Sequence, residues 1–197
     1  MSDIELSDKV LKGYLAARSF TRAIGNEIVS KIKVGMTEKE VEELASGIFK
    51  KNGVKQHWHM PVIGVGEGST KLQSLASYAH DVSIKIAEHV NEEMIVADVF
   101  YWAQELIGKN PDYTLAYPPF VSMGHRLCKI PPLWQKLPEA GLNYLLFKTR
   151  GPFIKSGNNT MMNGLWTIEP YIMYKERAAK FEELVFIGKE TVILETS

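Results

Sequence analysis

The chain has almost no cysteine, no long apolar run and no excess charge of either sign. Cys128 is the single cysteine among 197 residues, which excludes an internal disulfide and a zinc site built from several thiolates. The 23 basic and 23 acidic residues cancel, so charge favours neither nucleic acid nor a membrane surface as a partner. No apolar stretch approaches the roughly 20 residues that span a bilayer. The N-terminal residues are acidic and lack a hydrophobic run, which predicts no signal peptide and a cytoplasmic location.

What is present is an ordinary globular composition, with 45% hydrophobic and 23% charged residues. At 197 residues the chain is long enough to bury a substantial core, and a single domain covering residues 1–197 is the simplest expectation. No internal repeat or low-complexity segment divides it.

Two amphipathic helices are predicted at the start of the chain. Apolar residues recur at helical spacing from residue 7 to about residue 31, and Ser7 can cap the first helix. Thr37 and Glu40 have the spacing of a capping box, in which each side chain bonds the backbone N–H of the other residue. The second helix is predicted to continue to about Lys51.

Two segments near the C-terminus each place a glutamate among β-branched and aromatic residues. Residues 164–172 contain Glu169 and residues 180–188 contain Glu182, and both segments are predicted strands. An ionised glutamate inside a strand core is costly unless it is paired or binds a metal ion. Two interpretations stay open: a hard-cation site with bridging carboxylates, or two side chains that face water at a sheet edge.

Further candidate residues lie in the middle of the chain. Residues 94–102 are strongly apolar and are predicted to form a buried strand, in which the central Asp98 needs a reason to be present. His57 and His59 fall on one face of another predicted strand, either as contacts to a ligand or as half-exposed histidines at a strand start. Residues 67–91 are polar and are predicted to form a loop.

The two C-terminal segments resemble a family signature. They read Gly-Leu-Trp-Thr-Ile-Glu-Pro-Tyr-Ile and then Lys-Phe-Glu-Glu-Leu-Val. This wording is similar to the G-M-x-x-x-I-E-P-x-I and R-x-E-D-x-V signature of the methionine aminopeptidase, Xaa-Pro aminopeptidase and creatinase family, the pita-bread metallopeptidases. The helix, Gly-Met-Thr, helix order at the start and the Gly124-His125 pair also resemble this family. The resemblance covers most of the chain, is weakest from residue 104 to residue 145, and is closest to short Xaa-Pro aminopeptidase-like members.

The resemblance implies a pita-bread α+β fold, in which two N-terminal helices pack on a curved, mostly antiparallel sheet. It also implies two divalent metal ions (Mn, Co, Fe or Zn) and a bridging water that attacks a peptide bond. The substrate implied is a peptide or small amide that loses its N-terminal residue, with cleavage before proline favoured. By resemblance, the metal ligands are Asp98, Asp112, His125, Glu169 and Glu182. His80, with His59 as second choice, takes the place of the histidine that contacts substrate.

The chain departs from the family pattern in its middle. Asp112 arrives later than the second aspartate of the family, and it follows a proline as an ordinary turn residue also does. Only 12 residues separate Asp112 from His125, where the family has a pair of helices, and no second histidine follows. Part of the helical cover of the sheet is therefore expected to be missing, and residues 133–147 or a second subunit would have to supply it. The alternative function is a catalytically impaired pita-bread protein that binds peptides or proteins.

Overall fold

The structure is a computed structural model that describes residues 7–54, 70–116, 122–127, 132–138, 141, 144–145 and 153–194. These residues form four α-helices and seven short strands. The chain divides into two compact units, one with the first two helices and the other with the remaining helices and all the strands. The expectation of a single domain stays a prediction. None of the described helices is long and apolar enough to cross a bilayer.

The first unit contains the two helices expected at the start of the chain. Helix α1 spans Asp8–Lys31 and helix α2 spans Glu38–Lys51. The Ser7 side chain caps α1 by accepting a backbone N–H bond. The capping box of α2 is complete, because the Thr37 N–H donates to Glu40 Oε2 at 2.7 Å and the Glu40 N–H donates to Thr37 Oγ1 at 3.3 Å. These predictions are confirmed.

A carboxylate joins these two helices. Glu27 of α1 accepts hydrogen bonds from Lys31 Nζ at 2.7 Å and from Lys51 Nζ of α2 at 3.2 Å. The bonds from Lys31 and then Lys51 lower the pKa of the Glu27 carboxyl from 4.5 to about 2.

Helices α3 and α4 are formed by two segments that were not predicted to be helical. Helix α3 spans Thr70–His89, where a polar loop was expected, and helix α4 spans Val96–Gly108, where a buried strand was expected. Both predictions were wrong. The buried residues of α3 recur at spacings of three and four: Leu75, Ala79, Val82 and Ile86. The apolar run of α4 is buried as a helix, because a short run of β-branched and aromatic residues does not by itself separate a strand from a buried helix.

The strands form two antiparallel sheets, ordered β1-β4-β5 and β2-β3-β6-β7. Their bounds are Thr114–Leu115 (β1), Arg126–Leu127 (β2), Gly164–Ile168 (β3), Tyr171–Tyr174 (β4), Arg177–Lys180 (β5), Glu183–Ile187 (β6) and Thr191–Ile193 (β7). The segment 164–172 is therefore two strands in different sheets, separated at Glu169-Pro170, since proline has no N–H to continue a ladder. Segment 180–188 is likewise interrupted, between β5 and β6.

Helix α3 covers the strands and closes the core of the second unit. It lies against β3, β4, β5, β6 and β7 and also contacts α4. The core it shares with them includes Leu75, Val82, Ile86, Val99, Ala103, Trp166, Ile168, Ile172, Val185 and Ile187. A helical cover is thus present, but it precedes Asp112 in the chain instead of following it.

Candidate functional site

Glu169 lies in the break between β3 and β4. Its N–H donates to the carbonyl of Met123 at 2.8 Å, which fixes the backbone at the point where the chain leaves β3. Its carboxylate is 15% exposed, and Oε1 accepts a hydrogen bond from Thr167 Oγ1 at 3.0 Å. A carboxylate this buried requires a charged or hydrogen-bonding partner.

Lys180 supplies that charge from the end of β5. Its Nζ donates to Glu169 Oε2 at 2.6 Å and lies 3.8 Å from Glu182 Oε2. The same ammonium lies 5.1 Å from the ring centroid of Tyr171, the residue opposite Lys180 in the β4–β5 ladder. One ammonium therefore contacts a largely buried carboxylate, an exposed carboxylate and an aromatic face.

The protonation state of Lys180 follows from these neighbours. Burial lowers the pKa of the Lys180 ammonium, but the hydrogen bond and the negative charge of Glu169 outweigh it, and the pKa is raised above 10.5. Lys180 is consequently a cation at neutral pH, and a cationic ammonium cannot accept a proton as a general base.

His125, the residue before β2, lies beside the same Glu169 carboxylate. Its Nε2 lies 3.5 Å from Glu169 Oε1. Thr167 connects the two residues, because its Oγ1 accepts the His125 N–H at 3.0 Å and donates to Glu169. Gly124 permits this approach, since its φ is +147° and a β-carbon there would lie 1.9 Å from the carbonyl oxygen of Thr167. The glycine before His125 is therefore explained by a local steric requirement.

The other three predicted ligands are exposed. Asp98 is exposed on the first turn of α4, and Asp112 is exposed in the turn before β1, where its N–H donates to Asn110 Oδ1. Glu182 is 49% exposed between β5 and β6. The described residues include all five predicted ligands. No group of three or more His, Cys, Asp or Glu side chains among the described residues could hold a metal ion.

His80 is a helical residue of α3 and not a loop histidine. Its ring packs edge-on against Phe181 with centroids 4.4 Å apart, and its Nδ1 lies 3.3 Å from Asp81 Oδ1. Ser83, one turn further on, donates to the carbonyl of Phe181 at 2.9 Å. Helix α3 therefore holds the backbone between Lys180 and Glu182. His57 and His59 lie outside the described residues.

The arrangement does not fit a pair of divalent ions. Two adjacent ions need several oxygen and nitrogen ligands with bridging carboxylates to offset their repulsion. Here His125 and Glu169 lie together, but one Glu169 oxygen already accepts a hydrogen bond from an ammonium. Lys180 was not predicted as a site residue, although it occupies the position at which the family signature has arginine.

Several peptidases are among the solved structures with this architecture. The chain superposes on the X-Pro aminopeptidase from Thermotoga maritima with a TM-score of 0.67 and 16% identity, covering 98% of this chain and 62% of that one. For the Xaa-Pro dipeptidase from Bacillus anthracis the TM-score is 0.65 at 14% identity, over 97% and 61% of the two chains. For the methionine aminopeptidase from Rickettsia prowazekii it is 0.63 at 14% identity, over 98% and 99%. No protein-family model and no curated protein sequence matches the chain.

The likeness establishes the fold. The chain has the pita-bread architecture, an α+β fold with antiparallel sheets, and this prediction is confirmed. It spans 62% and 61% of the two Xaa-Pro peptidases and nearly all of the methionine aminopeptidase. Because one fold supports different functions, activity has to be argued from the site.

Proposed function

We propose that this chain is a pita-bread protein that binds the N-terminal end of a peptide without cleaving it. The observation that carries the proposal is the 2.6 Å bond from Lys180 Nζ to Glu169 Oε2. It puts a protein ammonium on a carboxylate that a metallopeptidase of this fold would use for metal. The exposed positions of Asp98 and Asp112 support the same conclusion.

The fold and the exposed rim of the site, formed by Glu182 and Tyr171, indicate the class of ligand. The similar structures are named as an aminopeptidase, a dipeptidase and a methionine aminopeptidase, all of which act on peptides. The rim offers the half-exposed Glu182 carboxylate and the exposed ring of Tyr171. Carboxylates and aromatic faces both attract a primary ammonium, so the free amine of a peptide is a fitting ligand.

Fluorescence anisotropy with labelled peptides tests this function. Peptides with a free N-terminus, with and without proline in second place, are compared with the same peptides acetylated at the N-terminus. We expect acetylation to weaken binding by about tenfold or more, or ~1.4 kcal/mol, because it removes the charge that Glu182 attracts. Glu182→Gln should weaken binding of the free peptide, whereas Glu190→Gln on the exposed β6–β7 turn should not. Equal binding of free and acetylated peptides would contradict the proposal.

A second candidate is a dinuclear metal-dependent aminopeptidase of the Xaa-Pro type. The close approach of His125 Nε2 and Glu169 Oε1, at 3.5 Å, favours it. Its ligands would be those that the resemblance implies: Asp98, Asp112, His125, Glu169 and Glu182. His80 or His59 would contact the substrate. For this function, the metal ions would have to displace Lys180 from Glu169. They would also have to bring Asp98 and Asp112 to the site.

Metal analysis and a hydrolysis assay separate the two candidates. The protein is loaded with Mn²⁺ or Co²⁺, its metal content is measured, and Xaa-Pro peptides are offered as substrates. The binding proposal predicts no turnover and no stoichiometric metal. Turnover that His125→Ala abolishes, in a variant with an unchanged circular dichroism spectrum, would establish the second candidate instead.

A further inference from the structure

The two glutamates and the lysine form one charge group, in which a single ammonium faces two carboxylates. Glu169 is 15% exposed and Lys180 is 23% exposed, so water screens their interaction less than that of a surface pair. Glu182 lies on the solvent side of the same ammonium, with Oε2 3.8 Å from Nζ. Without a cation between them, the two negative charges would repel each other.

The β4–β5 hairpin determines that the cation is Lys180. Tyr174 pairs with Arg177 across a two-residue turn, and Lys175 in that turn has a left-handed φ of 55°. This register places Lys180 opposite Tyr171. A slip of one residue would turn the Lys180 side chain to the other face of the sheet, because side chains alternate along a strand. The register of the hairpin therefore sets the position of the Lys180 ammonium.

We propose that Lys180 is the tethered counter-ion of this carboxylate pair and that it excludes divalent cations from Glu169 and His125. A cation held by the chain itself competes at a far higher effective concentration than a free ion. It also hydrogen-bonds the Glu169 oxygen that a metal ion would need, and its positive charge repels a second cation. This inference goes beyond peptide binding, since it concerns which cation is held at the Glu169 carboxylate.

The inference implies that a divalent-cation site is latent in the chain. Removing the ammonium leaves the Glu169 carboxylate beside the His125 imidazole, at 3.5 Å between Oε1 and Nε2. Glu182 lies near the ammonium, with its Oε2 3.8 Å from Lys180 Nζ, but it does not form a group of three metal-ligating side chains with these two among the described residues. The latent site therefore has one imidazole and one carboxylate, both of which Mn²⁺ accepts, with water in its remaining coordination positions.

Mn²⁺ titration tests the inference, by calorimetry and by the loss of the free-ion electron paramagnetic resonance signal. The proteins compared are wild type, Lys180→Met and Lys189→Met, a control that removes one positive charge from the exposed β6–β7 turn. We expect Lys180→Met to bind Mn²⁺ at least about tenfold tighter than wild type, with no gain for Lys189→Met. Adding Glu169→Gln to Lys180→Met should remove the gain.

Two results would overturn the inference. One is a folded Lys180→Met variant that binds Mn²⁺ no better than wild type. The other is tight Mn²⁺ binding by wild type that Glu169→Gln abolishes, a result that needs no Lys180 variant to fold. Lys180→Arg, which keeps a cation in place, should resemble wild type in the same titration. None of these measurements uses a peptide, so peptide binding can fail while the inference holds, and the reverse.

Discussion

Two carboxylates in this chain each accept hydrogen bonds from lysine, but in different surroundings. Glu169 is largely buried beside Lys180, whereas Glu27 joins α1 to α2 with Lys31 and Lys51 at the surface. The Glu169 pair belongs to the candidate site, and the Glu27 group joins two helices of the first unit. Both can be tested one residue at a time.

The pH dependence of stability reports on Glu27. Its folded pKa of about 2 lies below the ordinary 4.5, so folding favours the ionised form. The stabilisation is present above pH 4.5 and is lost as the pH falls through the folded pKa. We expect Glu27→Gln to be slightly less stable than wild type at pH 7, with a difference that shrinks below pH 4.5 and disappears near pH 2. Thermal unfolding followed by circular dichroism at a series of pH values measures it.

A matched control removes a carboxylate that makes no such bonds. Glu43 is exposed on α2, and Glu43→Gln should show no comparable dependence on pH. A stability difference for Glu27→Gln that stays constant down to the lowest pH would show that the Glu27 charge is not its source. High salt should reduce the difference, because the group is at the surface.

At the scale of the elements, local signals were predictable and long-range ones were not. Ser7, Thr37 and Glu40 act within one turn of their own helices, and the sequence predicts them correctly. The α4 run favours a strand by propensity, but its first turn is fixed by bonds from Val96 and Ala97 N–H to the carbonyls of Thr160 and Asn158, far along the chain. No local pattern contains that information.

Helix α3 was missed for a different reason. Its polar composition suggested a loop, although its buried residues keep a helical spacing that could have been recognised. The position of His80 follows from this helix, since the ring packs on Phe181 beside the site. Composition is thus a weaker guide than periodicity where the two conflict.

The candidate site was only partly predictable. The signature indicated Glu169, Glu182 and His125, and the structure brings His125 to Glu169. The contact of Lys180 with Glu169 depends on the register of the β4–β5 hairpin, which the sequence analysis did not resolve, because it treated residues 164–172 as one strand. Asp98 was assigned from its place in an expected strand, and that strand is a helix.

At the scale of the whole molecule, the pita-bread fold contains a buried carboxylate, Glu169, whose counter-charge comes from the chain itself. Metallopeptidases of this type would need bound cations to neutralise clustered carboxylates. In this chain the Lys180 ammonium neutralises Glu169 and lies near Glu182. The free energy of unfolding of the whole protein should therefore be independent of added metal.

Thermal melting in chelator and in Mn²⁺ tests that independence. Wild type should melt at the same temperature in both buffers. Glu169→Gln should melt roughly 2–10 °C lower in both, because it leaves a half-buried ammonium without its charged partner, at a cost of about 1–3 kcal/mol. Glu182→Gln, at the exposed end of the group, should have a smaller effect. If wild type instead melts lower in chelator, and Glu169→Gln differs from it only when Mn²⁺ is present, then Glu169 is a metal ligand. The metal-dependent peptidase would then be the better account of this protein.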